Sequence, residues 1–121
     1  GKLVEVGMRV AGSGVNVVLD FGFWGKDERS ALRSIADSLG VRAEVIYLPI
    51  DDEEQRRRIT ARSTTAPGQF QMSDDDLKQW RLQFEVPDSA ELRGAQIPTV
   101  PRGYATWSHW ASERWPSLPI L

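Results

Sequence analysis

In this chain of 121 residues, Asp20, Arg29, Arg58 and Arg62 stand where side-chain type and spacing could do chemistry. Asp20 closes the run "VNVVLD", in which Val17, Val18 and Leu19 form the continuous apolar pattern of a strand buried on both faces. A carboxylate is costly in such surroundings unless something pairs with it. Either the strand has just surfaced, or Asp20 meets a ligand, a metal or a helix end. Arg58 and Arg62 lie four residues apart, so on a helix they leave from one face and can clamp phosphate oxygens. The competing reading is a solvated face, with Arg56, Arg57 and Arg58 pairing with the acids between Asp51 and Glu54. Arg29 falls early in the segment after Asp20, where pairing with nearby acids competes with any contact to substrate.

The elements that must position these residues follow from periodicity. Val4, Val6, Met8 and Val10 alternate with polar or small residues, which predicts a strand and a hairpin with the next one. Leu3, Val6 and Val10 also fit one helical face, with "GSG" as a stop. Residues 15–21 are expected as a strand. "KDERSALRSIADSLG" carries Leu32, Ile35, Ala36 and Leu39 on one side and Gly40 at its end, the pattern of an amphipathic helix. A second strand is expected at 41–48. The acids 51–54 suit the start of a third helix through Arg62, whose apolar stripe is almost Ile59 alone. "TTAPGQFQM" reads as a loop. Ser73 with Asp76 then forms a capping box, opening a helix that would bury Leu77, Trp80 and Phe84.

Strand, helix, strand, helix predicts an α/β fold, a parallel sheet with flanking helices. In such sheets ligands sit beyond the carboxyl ends of the strands, where Asp20 lies. Residues 93–121 differ in composition, holding three of the five tryptophans and four of the seven prolines. A short helix fits "YATWSHWASERW". Trp107, Trp110 and Trp115 would form an aromatic face for a base or sugar, or pack on the domain or another copy of the chain.

Composition narrows the classes. There is no cysteine, which excludes disulfides, thiolate metal sites and a cysteine nucleophile, and one histidine builds no His-rich centre. A formal charge of −2 argues against a nucleic-acid binder with a broad basic face. No apolar run approaches the ~20 residues of a membrane helix. A cytoplasmic protein without membrane contact is the expectation.

The string "VNVVLDFGFWGKDERSALRSIADSLGVRAEVIYLPIDDEEQRRRITARS" resembles the later part of small P-loop kinases. The nearest group is the AAA-type ATP-binding proteins related to zeta toxin and chloramphenicol phosphotransferase. Those proteins carry a strand ending in Asp, a helix with an early Arg, a second strand, and a lid helix with R-x-x-x-R. Here the matching residues are Asp20, Arg29, Arg58 and Arg62, and "FEVP" resembles the group's closing segment. The resemblance implies ATP and Mg2+ as cofactors. Asp20 would position the metal or the acceptor hydroxyl, Arg58 and Arg62 would hold the phosphates, and Arg29 would be a lesser substrate contact. It also implies a helix at 2–11, against the alternation read there.

One departure matters. The phosphate-binding G-x-x-x-x-G-K-[ST] loop is absent: Gly1-Lys2 is followed by Leu3, and no Lys-Ser or Lys-Thr follows Gly12-Ser13-Gly14. The expectation is therefore an incomplete P-loop kinase-like fold, with residues 1–92 as its C-terminal portion and 93–121 as a Pro/Trp-rich tail. When intact, the protein would be an ATP-dependent phosphotransferase acting on a small-molecule hydroxyl. This chain alone would be inactive, binding nucleotide and substrate only when a phosphate-loop segment is supplied. The rival is a non-catalytic α/β interaction or oligomerisation domain derived from that fold. So few strands leave unpaired edges, so a homo-oligomer is expected.

Overall fold

The computed structural model describes residues 1–65, 68 and 72–119, and its regular elements are helices. These are α1 (Lys2–Gly12), α2 (Lys26–Ser38), α3 (Asp52–Thr65), α4 (Asp74–Gln83), α5 (Ser89–Leu92) and α6 (Trp107–Arg114). The chain divides into two compact units, one formed by Gly1–Val45 with Glu85–Leu121 and the other by Ile46–Phe84.

Among the described residues there is no β-strand, so the parallel sheet expected from the sequence is not present. Segments 15–20 and 42–50 carry no main-chain hydrogen bonds to any other described segment. A strand is held by a ladder to its neighbour, and an apolar run specifies burial rather than that ladder. Here Leu19 obtains its burial from side chains, packing beside the helical core of the first unit.

The strand expected over 3–10 is likewise replaced, by α1. Its alternation was misleading because the buried pair is Val4 and Met8, four apart on one helical face. Between them Glu5 accepts from Lys2 Nζ at 2.7 Å and Arg9 Nε at 3.0 Å, which offsets the cost of burying an acid. Leu3, Val6 and Val10, the alternative helical stripe, face outward. Gly7 matters in mid-helix: a Cβ there would lie 2.8 Å from Leu19 Cδ2, so the missing side chain makes room for the segment that leads to Asp20.

The core of the first unit joins Val4 and Met8 of α1, Ala31, Leu32, Ile35 and Ala36 of α2, Trp107 and Ala111 of α6, and Leu118. Fully burying a side chain such as Ile35 contributes about 1.5–3 kcal/mol. Ala31 and Ala111 are both completely buried, and their small size lets α2 and α6 approach closely. α2 ends at Leu39 with Gly40 beyond it at φ +69°, a left-handed conformation that suits a residue without a side chain. The tryptophans of the tail meet one another edge to face, Trp107 with Trp110 at 5.8 Å and Trp110 with Trp115 at 6.1 Å. Trp115 reaches Phe23 at 6.2 Å in the same manner. These rings belong to the core and its margin.

In the second unit α3 buries none of its residues, as its missing apolar stripe requires. The capping box of α4 is formed, with Ser73 Oγ accepting from Asp76 N–H at 3.1 Å and Asp76 accepting from Ser73 N–H at 3.0 Å. Of the three apolar residues expected beneath α4, Leu77 is buried, whereas Trp80 is exposed and Phe84, the C-cap, is half-buried and stacks on Tyr47. Arg81 pairs with Asp52, and Arg56 with Asp74 at 3.6 Å, so ionic contacts link α3 and α4. The loop expected over 64–72 lies mostly outside the described residues, and Thr64 and Thr65 belong to α3. No helix among the described residues is long and apolar enough to cross a membrane.

Candidate functional site

Asp20 sits at the end of the apolar segment 15–20, immediately before the bend at Phe21 and the aromatic run that enters α2. Leu19 faces the core, so the residue after it points away and Asp20 is exposed. It makes no ion pair or hydrogen bond among the described residues, so its carboxylate is available to a ligand.

The start of α2, next along the chain, is differently disposed. A helix N-terminus presents unpaired N–H groups and binds anions. Here Gly25 N–H donates to Glu28 Oε2 at 3.0 Å and Lys26 N–H to Glu85 Oε2 at 2.5 Å. Two carboxylates of the chain itself therefore occupy the place a phosphate would take.

Arg29 is turned inward. Its Nε donates to Glu91 Oε1 at 2.9 Å and its Nη2 to Glu91 Oε2 at 3.3 Å, a bidentate pair. Its Nη1 donates to the main-chain oxygens of Phe23 and Trp24, both at 3.1 Å. With Arg29 6% exposed and Glu91 3% exposed, this pair faces the protein interior. Arg29 fixes the aromatic segment 23–24 and α5 against α2, which is where the structure places the residue considered for substrate contact.

Arg58 and Arg62 lie on α3, one turn apart. Arg58 Nε donates to Glu54 Oε1 at 2.6 Å, and Arg57 holds both oxygens of the same carboxylate. Hydrogen bonds from Arg57 and then Arg58 push the Glu54 carboxyl down to about 2. Arg62, in the last turn, forms no ion pair among the described residues. The acids preceding the arginines thus engage Arg58 and leave Arg62 available. Asp20 belongs to the first unit, and both arginines to the second.

Magnesium is held by one or two carboxylates with phosphate oxygens and water. Asp20 meets that need singly; no cluster of three or more His, Cys, Asp or Glu able to hold a metal occurs among the described residues. The phosphates of ATP are a different matter. Their usual cradle is a glycine-rich loop of backbone N–H groups with a lysine, and the helix start nearest Asp20 is filled by Glu28 and Glu85. The described residues therefore offer one unpaired carboxylate, Asp20, in the first unit and one unpaired arginine, Arg62, in the second, and do not fit a complete Mg-ATP site.

Sequence reasoning missed the partners Glu91, Glu28 and Glu85. The pair between Arg29 and Glu91 spans 62 positions, a separation at which one sequence carries no signal. The reach-back from Glu28 was readable, since an acid three residues inside a helix start is part of the capping pattern.

A family model described as an AAA domain matches residues 3–87. No curated protein and no solved structure matches the chain.

Proposed function

Because the chain belongs to the AAA domain family, whose members are P-loop, kinase-like nucleotide-binding proteins, we propose that it carries the acid and lid-arginine portion of an ATP-dependent phosphotransferase. The acceptor would be a hydroxyl on a small molecule, and the finer affiliation the group of zeta toxin and chloramphenicol phosphotransferase. The observation that carries this reading is Asp20, an exposed carboxylate without a partner among the described residues, at the end of an apolar run within the matched span. Its role would be to orient an acceptor hydroxyl or a metal-bound water. Arg62, and Arg58 once released from Glu54, would hold anionic oxygens, with Mg-ATP supplying the transferable phosphoryl group.

Residues 1–121 contain no G-x-x-x-x-G-K-[ST] sequence, so the proposed activity belongs to a protein that also has a phosphate cradle. The test is phosphoryl transfer by this chain fused to a family phosphate-loop segment, with Asp20→Asn beside it. Transfer should appear in the fusion, and the substitution should impair it more than nucleotide binding. A fusion that binds nucleotide and transfers equally well with the Asp20→Asn change would remove Asp20 from the chemistry.

A second reading is favoured by one specific observation. Segments 15–20 and 42–50 leave their main-chain groups without partners in other described segments, and Val18 is 87% exposed. Ile46 and Leu48 are also largely exposed. Unpaired backbone flanked by exposed apolar side chains is a template for pairing with another chain, and a homodimer joined through segment 15–20 is the assembly proposed.

A further inference from the structure

Arg33 is 8% exposed, yet it lacks the partner that such burial calls for. Arg29 and Arg114 pair with Glu91 and Glu28. Arg33 pairs with no carboxylate among the described residues, and its Nη2 donates to the main-chain oxygen of Ala95. A guanidinium taken out of water is costly unless a counter-charge and further hydrogen bonds compensate it. One neutral carbonyl supplies neither the charge nor acceptors for the other N–H groups.

Arg33 lines a groove of about 780 Å³ between the end of α2 and the segment after α5. Small-molecule pockets occupy about 300–1,000 Å³, so the groove is of ligand size. Ser34 of α2 and Gln96 line it as well, and neither side chain has a hydrogen-bond partner among the described residues. One stretch of the wall is apolar: Val41, Ile97, Pro98 and Trp107. Trp107 is fixed by donating its Nε1 proton to Pro98 O at 2.9 Å. A cation that forms no ion pair among the described residues, two idle polar groups and an apolar stretch of wall therefore face one space.

Charge selects the ligand. Two further charged residues line the groove: Arg42, which is paired with Glu44, and exposed Asp37, one turn beyond Arg33 on the same helix face. One uncompensated guanidinium beside a carboxylate suits a monoanion and disfavours a dianion such as phosphate. A carboxylate also matches the guanidinium fork with two parallel hydrogen bonds. We infer that this groove binds a small monocarboxylate with an apolar body, its carboxylate on Arg33 and its body along Ile97, Pro98 and Trp107. This site is independent of the nucleotide reading, since it uses none of Asp20, Arg58 or Arg62.

The test is titration of the isotopically labelled chain with benzoate, followed by NMR, with methyl benzoate and inorganic phosphate as controls. Benzoate should saturate, moving the Arg33 Nε–H, Ser34 and Gln96 amide and Trp107 indole signals together. Methyl benzoate should not saturate, and phosphate should bind more weakly than benzoate. Arg33→Gln should weaken benzoate binding by about tenfold or more, the effect of removing a charge-assisted pair. Should that variant fail to fold, Asp37→Asn decides, because Asp37 is exposed and its neutralisation should tighten benzoate binding. Absence of saturation, equal binding of the methyl ester, tighter binding of phosphate, or no gain from Asp37→Asn would each overturn the assignment.

Discussion

Replacing Glu91 by Leu should be among the most destabilising single changes in the first unit. The Arg29 guanidinium would lose the acceptors of Nε and Nη2 and remain buried without a counter-charge. Breaking a buried pair in this way costs about 3–5 kcal/mol, a large part of the ~5–15 kcal/mol that holds an ordinary domain folded. With a urea dependence of about 2 kcal/mol per molar, the unfolding midpoint should fall by roughly 2 M. Glu91→Gln is gentler. It keeps one oxygen for Arg29 and leaves the N-terminal contact of α5 to Asp88 N–H possible, so about 2 kcal/mol should be lost. The double change Arg29→Met with Glu91→Leu should recover most of the loss, because two apolar side chains need no partners. A residue of about 1 kcal/mol should remain for the Phe23 carbonyl, which loses its side-chain donor, whereas the Trp24 carbonyl keeps Glu85 N–H at 2.9 Å. Urea unfolding followed by far-ultraviolet circular dichroism measures all three variants. If Glu91→Leu costs less than about 1 kcal/mol, the pair is not the buried latch described above.

Other expectations concern the second unit and assembly. Glu54 has a folded-state pKa lowered from 4.5 to about 2 by Arg57 and Arg58, so its contribution is present above the unfolded value and is lost as pH falls through about 2. An NMR titration of its carboxyl should show that low midpoint, rising in strong salt because its partners Arg57 and Arg58 are exposed; a midpoint near the ordinary 4.5 would refute the clamp. In a fusion that carries a phosphate loop, Arg62→Ala should weaken nucleotide affinity more than Arg58→Ala, since Arg58 is tied to Glu54. Together the two changes should leave the helical circular dichroism intact; unchanged affinity in the double variant would return both arginines to a solvated face. Light scattering at micromolar concentration should show a homodimer that Val18→Lys dissociates, and a well-folded monomer of the unaltered chain would count decisively against pairing through segment 15–20.

Local signals in the sequence were reliable where a side chain acts within one turn of itself. Ser73 and Asp76 form the capping box their spacing predicts, and Leu32, Ile35 and Ala36 are on the buried face of α2, whereas Leu39, expected with them, is the exposed C-cap. Of the acids 51–54, Glu54 pairs with Arg57 and Arg58 as expected, whereas Arg56 pairs with Asp74 of α4 instead. Failures came where the outcome depends on a partner element. Val15 to Leu19 has a strand's composition, but a strand exists through its ladder, and no neighbouring backbone among the described residues forms one. In α1 a period-two pattern and a helical pattern overlapped, and packing chose the Val4 and Met8 face over the more apolar one. Arg29 and Arg33 look alike as arginines four residues apart on α2. Only the distant Glu91 and Ala95 make one a satisfied latch and the other a cation facing a groove.

We propose that this chain holds an acid and arginines suited to phosphoryl transfer without the cradle that binds ATP. Isothermal titration of Mg-ATP into residues 1–121 tests it most directly. Binding by arginines on an exposed helix must order each side chain at about 0.5–1.5 kcal/mol, with no backbone nest to compensate. The expected result is affinity no better than about millimolar, near −4 kcal/mol. Saturable binding at about micromolar concentration, near −8 kcal/mol, would mean that a phosphate site exists within these residues and would overturn this proposal.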